Sequence, residues 1–236
     1  GRDARQQIEE VKNERGYLAG ALRWKPSEDT TIDVIASYTK DEPISPTGVP
    51  YELTRIGRNE DLRDLDTGEG DWDESDRKMY NLGFEISHQL DNGWTLSQGF
   101  RYEKFDWEYS GTYVSGLSAD GTQILRGANR QIEDTKGINL DTRLAGEVET
   151  GGMIHRLLFG LDIRQFDANA TTEFYTGTPL AWANPVRGSV PAGPAWYTAI
   201  SDIKQRQIGL YVQDEIEVGN WRGTVGLRWD KAKQTG

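Results

Sequence analysis

The feature that most constrains the fold of this chain is an alternation of apolar and polar residues with a period of two. Between Tyr80 and Leu90, apolar side chains occupy almost every second position, and mainly polar residues and glycine stand between them. A period of two puts the two sets on opposite faces of a β-strand, whereas a helical period would mix them. About eight such segments succeed one another, so the sequence predicts an all-β fold of antiparallel, up-and-down strands.

The polar face of these strands carries charge. In the last strand, Arg222, Arg228 and Asp230 stand opposite Val225 and Trp229. A soluble β-sandwich would leave such a face in water, and a large transmembrane barrel would turn it toward a hydrated or plugged lumen. The alternation alone is compatible with both.

The connections between the strands alternate between short and long. Short turns are predicted near 25–29, 91–93, 149–152 and 219–220, and long loops near 41–77, 110–131 and 167–203. Outer-membrane barrels have short turns on the periplasmic side and long loops outside the cell. The connections therefore favour the wall of a transmembrane β-barrel.

Three tryptophans, Trp24, Trp94 and Trp221, each adjoin a short turn. Amphipathic Trp rings collect where a membrane meets water. We therefore expect these three to form a membrane girdle, although rings that cover the edge of a soluble core would occupy similar positions.

Composition excludes several classes of protein. The formal net charge of −11 argues against a nucleic-acid partner, and the absence of cysteine removes disulfides and thiolate sites. No apolar run is long enough for a transmembrane helix. The mean hydropathy is −0.70, but only alternate residues of a barrel strand face lipid, so a membrane barrel stays open. Acidic residues crowd the segment 52–76, which predicts a solvated loop.

Several segments resemble, in order, strands of the TonB-dependent ferric-siderophore receptors, particularly the ferrichrome and hydroxamate branch. They are NERGYLA at 13–19, LRWKP at 22–26, DRKMY at 76–80, HRLLFGLD at 155–162, GLYVQD at 209–214 and GLRWD at 226–230. Each segment is a weak motif. Their order across nearly the whole chain makes the signature specific.

The resemblance implies that residues 1–236 are a partial β-barrel domain, with about eight consecutive strands of a plugged barrel of about 22. It implies the outer membrane of a Gram-negative bacterium as the location and uptake of ferric siderophores as the function. The expected partners are the ferric siderophore, outer-membrane lipid and the TonB complex, reached through a plug domain that this sequence does not contain.

The long loops hold aromatic residues that suit a bulky, partly apolar ligand. In receptors of the family that the chain resembles, loop and upper-wall aromatics line an external pocket. By this likeness the candidate siderophore contacts are Trp72, Tyr109, Tyr113, Tyr175 and Trp182. The alternative is that these rings pack the loops against one another.

Nothing in the sequence indicates catalysis, a resident metal or a cofactor. His88 and His155 lie in predicted strands without the spacing of a metal site or a catalytic triad. We expect a protein that is not an enzyme.

One residue does not fit the strand pattern. Asp214 shares the apolar parity of Leu210 and Val212. A charge that faces lipid is destabilising, so we expect either a β-bulge that redirects Asp214 or a different register there.

Two other proteins would show much of this pattern. One is a complete eight-stranded outer-membrane barrel that acts as an adhesin or structural anchor, and the other is a soluble β-protein that binds carbohydrate. Pairing between the first and last strands would indicate the small closed barrel, and two stacked sheets would indicate the soluble protein.

Overall fold

The computed structural model describes residues 13–44, 47–56, 62, 64–188 and 190–236. They form one antiparallel sheet. Its strands are β1 (Asn13–Trp24), β2 (Thr30–Pro43), β3 (Glu74–Gln89), β4 (Thr95–Leu117), β5 (Gln123–Thr150), β6 (Met153–Thr176), β7 (Leu180–Ala181), β8 (Tyr197–Val218) and β9 (Trp221–Thr235). A 3-10 helix, Tyr51–Arg55, lies between β2 and β3.

Each long strand pairs with the next long strand along the chain, and the two-residue β7 pairs with the end of β5. The predicted antiparallel, up-and-down wall of eight long strands is therefore confirmed. Among the described residues, β1 pairs with β2 and β9 pairs with β8, and β1 and β9 do not pair with each other. The wall is open, unlike the closed eight-stranded barrel considered as an alternative.

The four short connections occur where the sequence predicts them. The strands leave residues 25–29, 90–94, 151–152 and 219–220 unpaired between neighbours. Gly93 has a φ of 81° and Gly219 a φ of 56°, a region that residues with a Cβ rarely adopt. Glycine at these positions lets the chain reverse direction within a few residues.

The long connections are shorter than predicted, and the loop expected at 110–131 is wrong. β4 runs to Leu117 and β5 begins at Gln123, so only residues 118–122 turn, with a register shift between Val114 and Gly116. The other two loops shrink to 44–73 and 177–196. The alternation fades at these strand ends because no lipid faces them, although backbone pairing continues.

Register shows that the apolar residues of all eight long strands share one face, which we call the outer face. One row of directly paired residues crosses seven strands: Leu22, Val34, Phe84, Phe100, Leu140, Ile163 and Ile208. Many outer-face residues are exposed, including Leu18 at 73% and Leu227 at 74%. An apolar surface of this extent requires a membrane or a partner to cover it.

The opposite face, which we call the lumen face, carries ion pairs between neighbouring strands. Arg23 pairs with Asp33 at 2.6 Å, and Arg143 pairs with Glu85 at 3.0 Å. Tyr211 donates a hydrogen bond to Asp141 at 2.9 Å. A charged lumen face beside an apolar outer face is the pattern of a transmembrane barrel wall.

The apolar band has the height of a membrane. On β5 it runs from Ile138 to Val148, which is roughly 33 Å of strand at the usual rise. A tilt of about 40° reduces this to roughly 25 Å. No helix in the described ranges is long and apolar enough to cross a membrane.

Lysine–carboxylate pairs on five strands close the apolar band on the loop side. In each pair the lysine lies two residues nearer to the band than its carboxylate. The pairs are Lys40–Glu42 at 2.5 Å, Lys78–Asp76 at 2.9 Å, Lys104–Asp106 at 2.8 Å, Lys136–Asp134 at 3.2 Å and Lys204–Asp202 at 3.3 Å. We infer that the strands leave the membrane near these pairs.

Asp214 lies neither at a β-bulge nor in an altered register, the two possibilities expected from the sequence. It pairs in regular register with Leu157 and Val225, so its side chain is on the outer face. Its carboxylate lies 2.8 Å from Nδ1 of His155 on the neighbouring strand. The prediction of a bulge or altered register is wrong, because His155 accommodates the carboxylate by a hydrogen bond instead. Both residues lie near the turn ends of their strands, His155 two residues from the start of β6 and Asp214 four residues from the end of β8.

Candidate ligand-binding site

The structure divides the five predicted ligand residues between the two faces of the wall. Tyr109 pairs with Ser75, and its ring belongs to the lumen face, as does that of Tyr113. Tyr175 has the opposite parity, and its ring meets that of Trp72 edge to face, with 5.4 Å between centroids. The five aromatics therefore do not form one cluster.

The loops that contain Trp72 and Trp182 pack together on the outer-face side of the β4–β5 hairpin, above the membrane band. We call the described residues of 47–73 and 177–188 the cap. Its core contains Leu53, Leu62 and Leu180 with Ile124 of β5. Trp182 packs against this core, and its Nε1 donates to the carbonyl of Gly121 at 2.8 Å. Trp182 thus attaches the cap to the hairpin turn.

A buried ion pair joins the cap to β5. The guanidinium of Arg126 contacts the carboxylate of Glu69 at 2.7 Å, and the two side chains are 0% and 2% exposed. Arg126 also donates to the carbonyls of Thr67 and Thr178, and Glu69 accepts the backbone N–H of Gly188. Both cap segments are therefore bound to the same two side chains.

Asp73 forms a second link between the cap and the hairpin. Its carboxylate accepts the backbone N–H of Thr112 at 2.6 Å, the hydroxyl of Thr112 at 2.8 Å and the N–H of Glu69 at 2.9 Å. Burial raises the pKa of Asp73, although these donors oppose the shift. The expected solvated acidic loop is wrong for Glu69 and Asp73, because donors from distant segments satisfy them. Glu60 and Asp61 lie outside the described residues.

An aromatic ladder lies on the lumen face of β4. Phe105, Trp107 and Tyr109 stand at alternate positions, with ring centroids 6.4 and 5.4 Å apart. The Nε1 of Trp107 donates to the hydroxyl of buried Ser75 at 3.1 Å, and the guanidinium of Arg77 lies 5.0 Å from the Trp107 ring centre. The indole of Trp107 is therefore fixed by Ser75 at its edge and covered by Arg77 on one face.

The ladder borders a cavity of about 350 Å³ at the loop end of the wall. Arg77, Trp107, Tyr109, Asn129 and Gln131 contribute to its lining. Burial raises the pKa of the Tyr109 hydroxyl, so this group stays protonated and can donate a hydrogen bond at neutral pH. Apolar rings with a few polar groups are the usual composition of a small-molecule site.

Sequence reasoning missed Phe105, Trp107 and Arg77. The sequence FDWEY at 105–109 has an aromatic residue at every second position, which predicts one aromatic face on a strand. The pattern is thus visible in the sequence, and Tyr109 is the one member of the ladder among the predicted contacts. The position of Arg77 over the indole depends on the register between β3 and β4.

The three tryptophans expected to form a girdle adjoin short turns on the outer side of the wall. Trp24 and Trp221 are 58% and 80% exposed. Trp94 covers Gly146 and stacks on Phe159, with 6.2 Å between ring centroids. Their placement supports the proposal that all three contact the membrane interface.

An open meander with an apolar outer face, a charged lumen face and an aromatic cavity above the membrane band defines the wall of an outer-membrane receptor barrel. The chain belongs to the TonB-dependent receptor-like β-barrel family, whose model matches residues 21–236. The resemblance found in the sequence is therefore confirmed, and with it the outer-membrane location. The soluble carbohydrate-binding alternative is not supported.

Individual relatives agree with the family assignment. The ferrioxamine B receptor of Salmonella typhimurium (strain LT2) is 35% identical over 98% of this chain and 33% of its own length. The ferrichrome outer membrane transporter/phage receptor of Escherichia coli K12 is 26% identical over 99% of this chain and 35% of its own. The chain spans about a third of the length of the curated relatives it matches.

Solved structures show the same fold. The ferric-catecholate import receptor Fiu of E. coli K12 matches with a TM-score of 0.79 and 15% identity, over 97% of this chain and 35% of that one. The ferripyoverdine receptor of Pseudomonas aeruginosa matches with a TM-score of 0.76 and 18% identity, over 98% and 32%. At this identity the likeness concerns the fold.

Proposed function

We propose that this chain forms part of a receptor that takes up ferric siderophores of the hydroxamate class with energy supplied through TonB. The aromatic cavity on the lumen face carries this proposal. Its rings offer apolar surface to the hydrocarbon of the siderophore, and the Tyr109 hydroxyl and the Asn129 and Gln131 amides offer polar partners. The family and the names of the relatives support the substrate class.

The predicted contacts divide into two roles. Tyr109 and Tyr113 are proposed to touch the siderophore directly from the lumen face, and Trp107 is added to them. Trp72, Tyr175 and Trp182 lie on the cap side, where they are proposed to hold the loops that border the mouth. Contact with TonB is proposed to occur through a plug elsewhere in the protein.

Binding of a ferric trihydroxamate siderophore by the full receptor tests the direct role. Trp107→Ala and Tyr109→Ala should each weaken affinity by roughly tenfold or more, because a desolvated aromatic anchor contributes strongly to binding. Tyr102→Ala is the matched control, since Tyr102 lies on the same strand with outer-face parity. Unchanged affinity in both lumen-face variants would contradict the proposed site.

A further inference from the structure

Arg77 is the middle residue of a lumen-face row that crosses five neighbouring strands at the loop end of the wall. Register places Arg15, Asp41, Arg77, Trp107 and Glu133 side by side on β1 to β5. The row contains two arginines and two carboxylates. An arrangement in which each arginine pairs with a carboxylate would therefore leave no charge unpaired.

The structure pairs only one of these arginines. Arg15 binds both oxygens of Asp41, with Nε at 3.0 Å and Nη2 at 2.9 Å, and Asp41 is buried. The other carboxylate, Glu133, accepts hydrogen bonds from Gln131 at 3.0 Å and from Thr135 at 3.1 Å. Both neighbouring carboxylates are thus occupied by other donors.

Arg77 forms no hydrogen bond and no ion pair with any residue that the structure describes; its guanidinium lies over the Trp107 ring and acts electrostatically on the nearby Tyr109 hydroxyl. Most other lumen-face arginines do have a carboxylate partner within 4 Å. They are Arg15, Arg23, Arg101, Arg143, Arg156, Arg222 and Arg228. In a wall so rich in compensating carboxylates, Arg77 keeps its N–H donors available at the cavity.

The acidic residues that border the same cavity, Asp73 and Glu74, form no ion pair with Arg77. Asp73 lines the cavity, but its carboxylate accepts hydrogen bonds from Thr112 and from the Glu69 backbone. Glu74 pairs with Ser110 in register and has outer-face parity. The cavity therefore presents one unpaired guanidinium beside an aromatic surface.

This arrangement fits the chemistry of a ferric chelate. In a ferric hydroxamate, the oxygens that bind iron carry the negative charge of the deprotonated ligand, and the linkers between them are hydrocarbon. A guanidinium has five N–H donors in a planar fork and prefers anionic oxygens. Held over an aromatic ring, it also keeps fewer conformations to lose on binding.

We propose that Arg77 is a specificity-determining residue that donates hydrogen bonds to the iron-binding oxygens of the siderophore while the hydrocarbon of the ligand rests on Trp107 and Tyr109. The inference rests on the proposed function, and it adds a means by which the receptor selects the iron-loaded form. The iron-free siderophore keeps its hydroxamic acid protons at neutral pH, so it offers Arg77 no anionic oxygen.

Affinity of the full receptor for one trihydroxamate siderophore, measured with and without iron, tests the proposal. Arg77→Gln should reduce the preference for the ferric form by roughly tenfold, the worth of a charge-assisted hydrogen bond. Arg77→Lys keeps the charge but loses the planar fork, and should recover only part of the preference. Arg101→Gln, at a lumen-face arginine six residues from Trp107 along β4, should leave the preference unchanged.

The outcomes separate the possible failures. Equal weakening of both forms in Arg77→Gln would mean that Arg77 only positions Trp107, and it would overturn the proposal. Wild-type preference in Arg77→Gln, together with lost affinity in Trp107→Ala, would also overturn it while leaving the proposed function intact. A wild-type receptor that binds no ferric siderophore would instead refute the proposed function.

Discussion

Glu69 in the loop after β2 and Arg126 on β5 form an ion pair of 2.7 Å in which neither side chain is more than 2% exposed. The pair lies above the membrane band, in the most buried region that the structure describes. Breaking a buried pair from one side leaves an uncompensated charge away from water. The extracellular part of this wall therefore has its own folded core, which does not depend on lipid.

Arg126→Met should loosen the cap without opening the barrel wall. Loss of the guanidinium leaves Glu69 buried and unpaired, at a cost of about 3–5 kcal/mol. Tryptic cleavage after exposed Arg55 should then be faster in the folded receptor. Arg130→Met, four residues along β5 on the same face and exposed, is the control and should cleave at the wild-type rate. Equal protection in both variants would show that the ion pair does not hold the cap.

The cap should become more stable as the pH falls from neutral into mild acid, because Asp73 becomes protonated. Burial raises the pKa of this carboxyl, so its ionised form opposes folding above the folded-state pKa. That cost disappears as the pH falls through the raised pKa toward the value of the unfolded chain. Resistance of the cap to proteolysis, measured from neutral pH down through the raised pKa of Asp73, should increase.

Asp73→Asn provides the comparison for this pH dependence. The variant cannot titrate at this position, so the acid-dependent gain in protection should vanish. It should also be less protected at every pH, because an amide cannot accept at both of its terminal atoms from Thr112 and Glu69. An unaltered pH profile would assign the titration to another group.

Glycine is required where an aromatic ring lies flat on the wall. Gly160 faces the lumen beneath the Tyr211 ring, and an added Cβ would collide with that ring. Gly160→Ala should cost about 1–3 kcal/mol through overpacking, measured by denaturant unfolding of the receptor in detergent. Gly20→Ala is the matched control, since a Cβ there meets no atom within 4 Å. Equal stability of the two variants would contradict the packing argument.

His155 should stabilise the wall by forming a hydrogen bond with one carboxylate oxygen of Asp214 on the outer face. The 2.8 Å contact joins neighbouring strands close to their turn ends. His155→Leu should destabilise the barrel by about 1–3 kcal/mol, because the carboxylate loses its partner. Leucine at both positions should restore most of that loss, since two apolar side chains suit lipid. A double variant less stable than the single one would reject this account of Asp214.

The arrangement of the wall within the membrane could be predicted from the sequence. Strand period, short turns and turn-side tryptophans all arise from local rules, because lipid requires an apolar residue at every second position and a tight turn requires glycine or a short polar residue. The turn at 219–220 and the outer-face parity of Trp221 follow directly from these rules. The aromatic ladder at 105–109 follows the same period of two, so it could also be predicted from the sequence.

Above the membrane the same reasoning fails. β4 continues past Ser110 to Leu117 and β5 begins at Gln123, before the predicted loop end at 131, but residues there face water or the cap, so no simple alternation marks them as strand. The acidic loop after β2 looks solvated in sequence, yet Glu69 is buried because Arg126, 57 residues away, meets it.

The sequence by itself determined the class of fold, the two faces of each strand and the family, because these depend on residues close together in the chain. Only the tertiary structure decided that Asp214 meets His155, that the predicted aromatics lie on opposite faces, and that Arg77 rests on Trp107 without a carboxylate. Each of these depends on register between strands or on contacts between distant loops. Such contacts are set by the packing of the whole wall, and no local pattern encodes them.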